Sequence, residues 1–154
     1  MNTRLYAAIV AALAVTGYST ASFADSDSVS WKRIIGIIQA NNVVSGINGG
    51  GQPWSTLGGE ARVGLRTAHV EFEVRGLVLA DGNTIGTPGA ISQVKGIIVC
   101  GSGAVVDTPL VPLNAQGDTE FDDIVPGLSG CTPVTFLIRI AADRWIANGA
   151  VRSP

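Results

Sequence analysis

Four acidic residues within six positions, Asp118, Glu120, Asp122 and Asp123, are the densest set of oxygen ligands in the chain. Carboxylates at alternating positions beside a glycine-containing turn (Asn114 to Asp118, NAQGD) suit calcium, a hard cation that takes only oxygen ligands. The spacing departs from the EF-hand loop. On an extended strand Asp118, Glu120 and Asp122 spread over about 13 Å of one face, so a single ion needs the strand to bend. Calcium is the one cofactor these residues could hold, and no other is expected.

Other reactive residues are isolated. His69 is the single histidine and stands in an alternating pattern beside Glu71, where a surface position is expected; no nucleophile lies near it in sequence. Gly101-Ser102-Gly103 lacks both the spacing of a nucleophile elbow and the helix that follows one. Asp107-Thr108-Pro109, after Val105-Val106, has proline where the aspartic-protease turn needs glycine, and a second aspartate would have to come from another chain. Gly49 to Gly51 lacks the Lys-Ser/Thr ending of a phosphate cradle. No catalytic residue is therefore assigned. Trp31, Trp54 and Trp145 are suited either to stacking on sugar rings or to filling a core or interface.

Cys100 and Cys131 are the only two cysteines, and the first 24 residues say how they are used. Arg4 opens the chain, Ala7 to Val15 is an apolar run, and Ser22-Phe23-Ala24 places small residues at −3 and −1 of a cut before Asp25. This is the plan of a secretory signal peptide, and its apolar run is too short for a membrane span. Residues 1–24 are thus expected to be removed, leaving a single domain over 25–154 with a secreted or periplasmic location. An oxidising compartment joins Cys100 to Cys131, closing a loop worth about 3–4 kcal/mol in unfolded-state entropy. No lysine, arginine or histidine stands close enough in sequence to activate either thiol.

The elements that must position these groups are strands. Twenty glycines argue against a helical bundle, and no helical period is visible beyond residue 24. The clearest pair is Glu60 to Arg66 and His69 to Arg75, whose inward residues Ala61, Val63, Leu65, Val70, Phe72 and Val74 alternate with charged ones. That pattern predicts a hairpin around Thr67-Ala68 with one wet face. Further strands are predicted over Trp31 to Gln39, Val43 to Ile47, Gly76 to Ala80, Gln93 to Cys100, Ala104 to Leu113 and Thr119 to Val125. Val134 to Ala141 and Trp145 to Val151 close the chain as a hairpin. The fold class expected is all-β, an antiparallel β-sandwich or small barrel of eight to nine strands after a cleaved signal helix. Val74-Arg75-Gly76 with Leu77-Val78-Leu79 echoes Val94-Lys95-Gly96 with Ile97-Ile98-Val99, as a duplicated strand-loop unit or as chance in a Gly- and Val-rich chain.

Several strands are apolar on both faces: Ile34 to Ile38, Leu77 to Ala80, Ile97 to Val99 and Phe136 to Ile140. With no helix layer available, a second subunit is expected to cover them, placing Ile35, Ile37, Leu77, Val78, Leu79, Ile97 and Ile98 at an interface. A lipid-facing barrel is the poorer fit, since aromatics are 6% of the chain and it ends Arg152-Ser153-Pro154. No integral membrane span is expected in the mature chain. A net charge of −2, from ten Lys+Arg and twelve Asp+Glu, excludes a generally basic nucleic-acid binder. Charge is unevenly placed: between Lys95 and Arg139 lie five acids and no base. Such asymmetry can orient head-to-tail association or simply be a solvated acidic face.

The run Val134 to Arg152 (VTFLIRIAADRWIANGAVR), with Gly76-Leu77-Val78-Leu79, resembles small exported bacterial all-β proteins without an assigned function. The resemblance implies export and an all-β fold, and it brings no catalytic motif. Two functions remain in view. The first is a secreted, non-enzymatic structural or interaction module that forms a homo-oligomer or binds another exported protein through apolar sheet faces. The second is a monomeric binding domain for a sugar or a calcium-linked ligand.

Overall fold

The computed structural model describes residues 27–153, and the expected signal peptide lies outside them. The described chain is all-β, with no helix. In chain order the strands are β1 Ser28–Gly36, β2 Val43–Val44, β3 Ile47–Asn48, β4 Trp54–Ser55, β5 Gly58–Gly64 and β6 His69–Arg75. There follow β7 Val78–Leu79, β8 Gln93–Cys100, β9 Val105–Asp107, β10 Val111–Pro112, β11 Thr119–Ile124, β12 Val134–Ile140 and β13 Trp145–Arg152.

Nine of these form one antiparallel sheet in the order β10-β8-β12-β13-β1-β5-β6-β11, with β9 also on β8. The sheet curls into a half-barrel, and its end strands β10 and β11 come back into contact across the turn at 114–118. The two end strands are not hydrogen-bonded to each other as a ladder, so the sheet is not a closed barrel. The small ribbons β2–β3 and β4–β7 lie outside this sheet.

The expected hairpin is present as β5–β6 in the register Ala61↔Phe72 and Val63↔Val70, with Ala61, Val63, Val70, Phe72 and Val74 buried; Leu65, expected inward as well, lies past the end of β5 and is half-buried. Ala68 takes a positive φ of 58° at the turn, in place of the usual glycine or asparagine. The stretch 104–113, expected as one strand, is two. Thr108 interrupts it: its backbone nitrogen donates to the Gly96 carbonyl and its hydroxyl accepts from the Gly96 nitrogen, both at 2.9 Å. Gly76 to Ala80 contributes only β7, which pairs with β4 and not with the main sheet.

Inside the curl an aromatic chain runs Trp31, Phe136, Phe72 and Phe121, with ring centroids 5.5–5.7 Å apart. Gly96 makes room for it. A Cβ there would stand 2.8 Å from Phe72 Cε1, so this mid-strand glycine marks close packing and not a turn. The loop 125–133 adds Val125 and Leu128 to the same core. Cys131 in that loop is bonded to Cys100 at the end of β8, as the cysteine count predicts.

The residues expected at a subunit interface are placed differently. Ile37, Leu77, Leu79, Ile97 and Ile98 are buried within one chain, Val78 is half-buried, and Ile35 alone is exposed. Loops supply the second cover that a partner was expected to supply. A Cβ on Gly117 would come within 2.4 Å of the Leu77 carbonyl oxygen, one on Gly49 within 2.5 Å of Ile37 Cδ1, and one on Gly89 within 3.0 Å of Leu79 Cδ1. Strands that are apolar on both faces therefore mark a folded-over chain here.

Candidate functional site

The outward face of β1, β5, β6 and β11 carries most of the charge. The ladder registers set Glu60, Glu73 and Glu120 directly opposite one another in one row. The next row holds Arg62, Glu71 and Asp122. Side chains paired this way sit about 5 Å apart at Cβ, and like charges so placed repel. Arg75 relieves Glu73 at 3.0 Å, and Arg62 donates to Ser28 Oγ. A shallow recess of about 790 Å³ covers this face, lined by six carboxylates against two cations, Lys32 and Arg62.

The expected calcium ligands lie on or beside this wall but do not converge. Asp118 accepts from the Gly76 nitrogen at 2.9 Å and orders the turn before β11. Asp122 meets His69 Nε2 at 2.6 Å, and Asp123 accepts from the adjacent Ile124 nitrogen at 2.7 Å. Glu120 belongs to the glutamate row. Among the described residues no group of three or more His, Cys, Asp or Glu is arranged around a common ion position.

Beside the wall lies a groove of different character. Along β1 the burial runs Trp31 in, Lys32 and Arg33 both out, Ile34 in, Ile35 out. Two consecutive exposed residues break the alternation and put two cations next to Ile35. Ile38 and Leu57, 82% and 90% exposed, complete the patch. The groove holds about 510 Å³, and Lys32 lines both it and the acidic recess, so the two adjoin at that residue. Large apolar side chains left this bare and clustered are the usual mark of a binding surface.

The remaining reactive residues have partners of their own. Asp107 accepts from Lys95 Nζ at 2.8 Å and from Arg139, and Asp143 stands 3.2 Å from Arg139. The Asp107-Thr108-Pro109 sequence is thus an ion-pair anchor followed by a ladder-bridging threonine. Ser102 sits in the exposed turn between β8 and β9. Trp31, Trp54 and Trp145 are buried, which removes them from any exposed sugar-stacking face; Trp145 Nε1 donates to the Asn42 carbonyl at 3.0 Å. Sequence reading missed the Lys32–Arg33 break in alternation, whose signal was two adjacent cations in an otherwise apolar strand.

The fold and this face define an all-β domain with a divided surface, basic and apolar on one side and acidic on the other. Comparison with known proteins adds no family: no family model, curated protein or solved structure matches the chain. No helix among the described residues is long and apolar enough to cross a membrane.

Proposed function

We propose that this is an exported, non-enzymatic interaction module whose divided face pairs with the same face of a second copy. The single observation that carries the reading is the adjacency of the Lys32–Arg33–Ile35–Ile38–Leu57 groove to the glutamate row. A face with its positive half beside its negative half is self-complementary under a two-fold axis: each groove meets the other copy's wall. Association would bring cations to Glu60, Glu73 and Glu120 and would cover Ile38 and Leu57. The self-association expected from sequence is retained, on a different surface from the buried strands.

Export rests on the leader sequence and fits the Cys100–Cys131 disulfide, which oxidising compartments favour. The non-enzymatic reading is supported by the structural use of reactive side chains: Asp107 is held by Lys95 and Arg139, and the cysteines are bonded to each other.

Charge reversal tests the pairing. Glu73→Lys and Lys32→Glu should each weaken dimerisation at least tenfold in sedimentation equilibrium, and the double variant should recover most of the loss. Single variants that associate like the parent would overturn the proposal.

A further inference from the structure

We infer that a second, separate recess binds a small monocarboxylate with an apolar body, the carboxylate on Arg144 and the body on the apolar floor. The recess holds about 520 Å³ and lies where the end of the β12–β13 hairpin meets the β4–β7 ribbon and the loops at 50–52 and 84–91. This size falls in the range of small-molecule sites, roughly 300–1,000 Å³. Its floor is Trp54, Leu79, Ile91, Ile140 and Ile146, drawn from four separate parts of the chain. Among the described residues no side chain fills this space. An apolar floor favours a hydrocarbon or aromatic body over a sugar.

Arg144 fixes the polar end. Among the described residues it is the one charged residue lining the recess, and Gln52 and Thr84 are polar residues of the same lining. Its Nη1 donates to the Gly49 carbonyl at 3.1 Å, which anchors one end of the guanidinium. The adjacent acid, Asp143, is engaged with Arg139 and Lys95, and no carboxylate lines the recess. A planar guanidinium with donors to spare matches a carboxylate in two-point fashion. The charge complementarity therefore selects an anion, and the floor selects its apolar body. The recess shares Trp54 with the groove of the proposed dimer face, but Arg144, Ile140 and Ile146 do not line that groove, so the Arg144 variant tests ligand binding separately from dimerisation.

The test is calorimetric titration of the full chain with octanoate, 1-octanol and propionate at fixed ionic strength. Octanoate should bind at least ten times more tightly than 1-octanol, and propionate should give no measurable binding. Arg144→Gln should bring octanoate down to the level of 1-octanol while leaving 1-octanol unchanged. Ala90→Trp, at an exposed rim position, should block both. Absence of octanoate binding, equal affinity for the acid and the alcohol, or any Arg144 variant with native melting temperature and native octanoate affinity would overturn the inference.

Discussion

Asp107 holds two cations that are themselves mostly covered: the side chains of Lys95 and Arg139 are 18% and 12% exposed. Replacing it by asparagine leaves two like charges facing each other with part of their hydration removed. Asp107→Asn should cost about 1–2 kcal/mol, below the value for a fully buried pair because Asp107 itself reaches solvent. The loss should show as a lower urea midpoint with an unchanged slope; an unaltered midpoint would mean that Asp143 alone suffices. Gly36 is a steric case. A Cβ there would stand 2.2 Å from the Trp54 carbonyl oxygen, because β4 crosses the end of β1 at that point. Gly36→Ala should destabilise by about 1–3 kcal/mol, the ordinary cost of overpacking, and a neutral result in denaturant unfolding would refute that close approach. At this scale the inward residues of β5 and β6 were readable, since alternation is a local property. The partners of the charged residues were not. His69 is paired with Asp122 from another strand and not with Glu71, and the Arg139 partner of Asp107 comes from β12. Such contacts depend on strand order, which periodicity does not encode.

The disulfide acts on elements. It ties the loop at 125–133 to the end of β8, and that loop delivers Val125 and Leu128 to the core. Reduction frees a loop of about 30 residues in the unfolded chain and should lower stability by about 3–4 kcal/mol. Thermal unfolding with and without reductant measures this; equal melting temperatures would show that the loop is held by packing alone. The long strands were legible because their patterns exceed five residues. The two-residue ribbons were read only in part: the strand expected over Val43 to Ile47 is the tight pair β2–β3, β7 falls within the expected Gly76 to Ala80, and β4 was not foreseen. The internal echo is a useful contrast. Gly76 has φ 63° and ends a strand, whereas Gly96 lies in the middle of β8 against Phe72. Similar words in the sequence therefore take different conformations. The apolar strands misled for a related reason: their hydrophobicity reported burial correctly but could not say whether a loop or a second subunit provides it.

For the whole molecule, the divided face is assembled by the sheet, which sets Glu60, Glu71 and Glu73 of β5 and β6 beside Glu120 and Asp122 from the acidic segment and brings β1 with Lys32 and Arg33 alongside. Curling gathers the interior around the aromatic chain and leaves Ile38 and Leu57 outside it. The proposed association across that face would have an electrostatic part, which salt weakens over a Debye length of about 8–10 Å at moderate ionic strength. It would also have an apolar part, which salt spares. The most direct measurement is the native mass by light scattering at low and high salt, for the parent chain and for Leu57→Glu. The account predicts a dimer at low salt, a shift toward monomer at high salt, and a monomer in both for Leu57→Glu, with the melting temperature of the monomer unchanged. A parent chain that stays monomeric at low salt and high protein concentration, or a Leu57→Glu variant that dimerises like the parent, would contradict it.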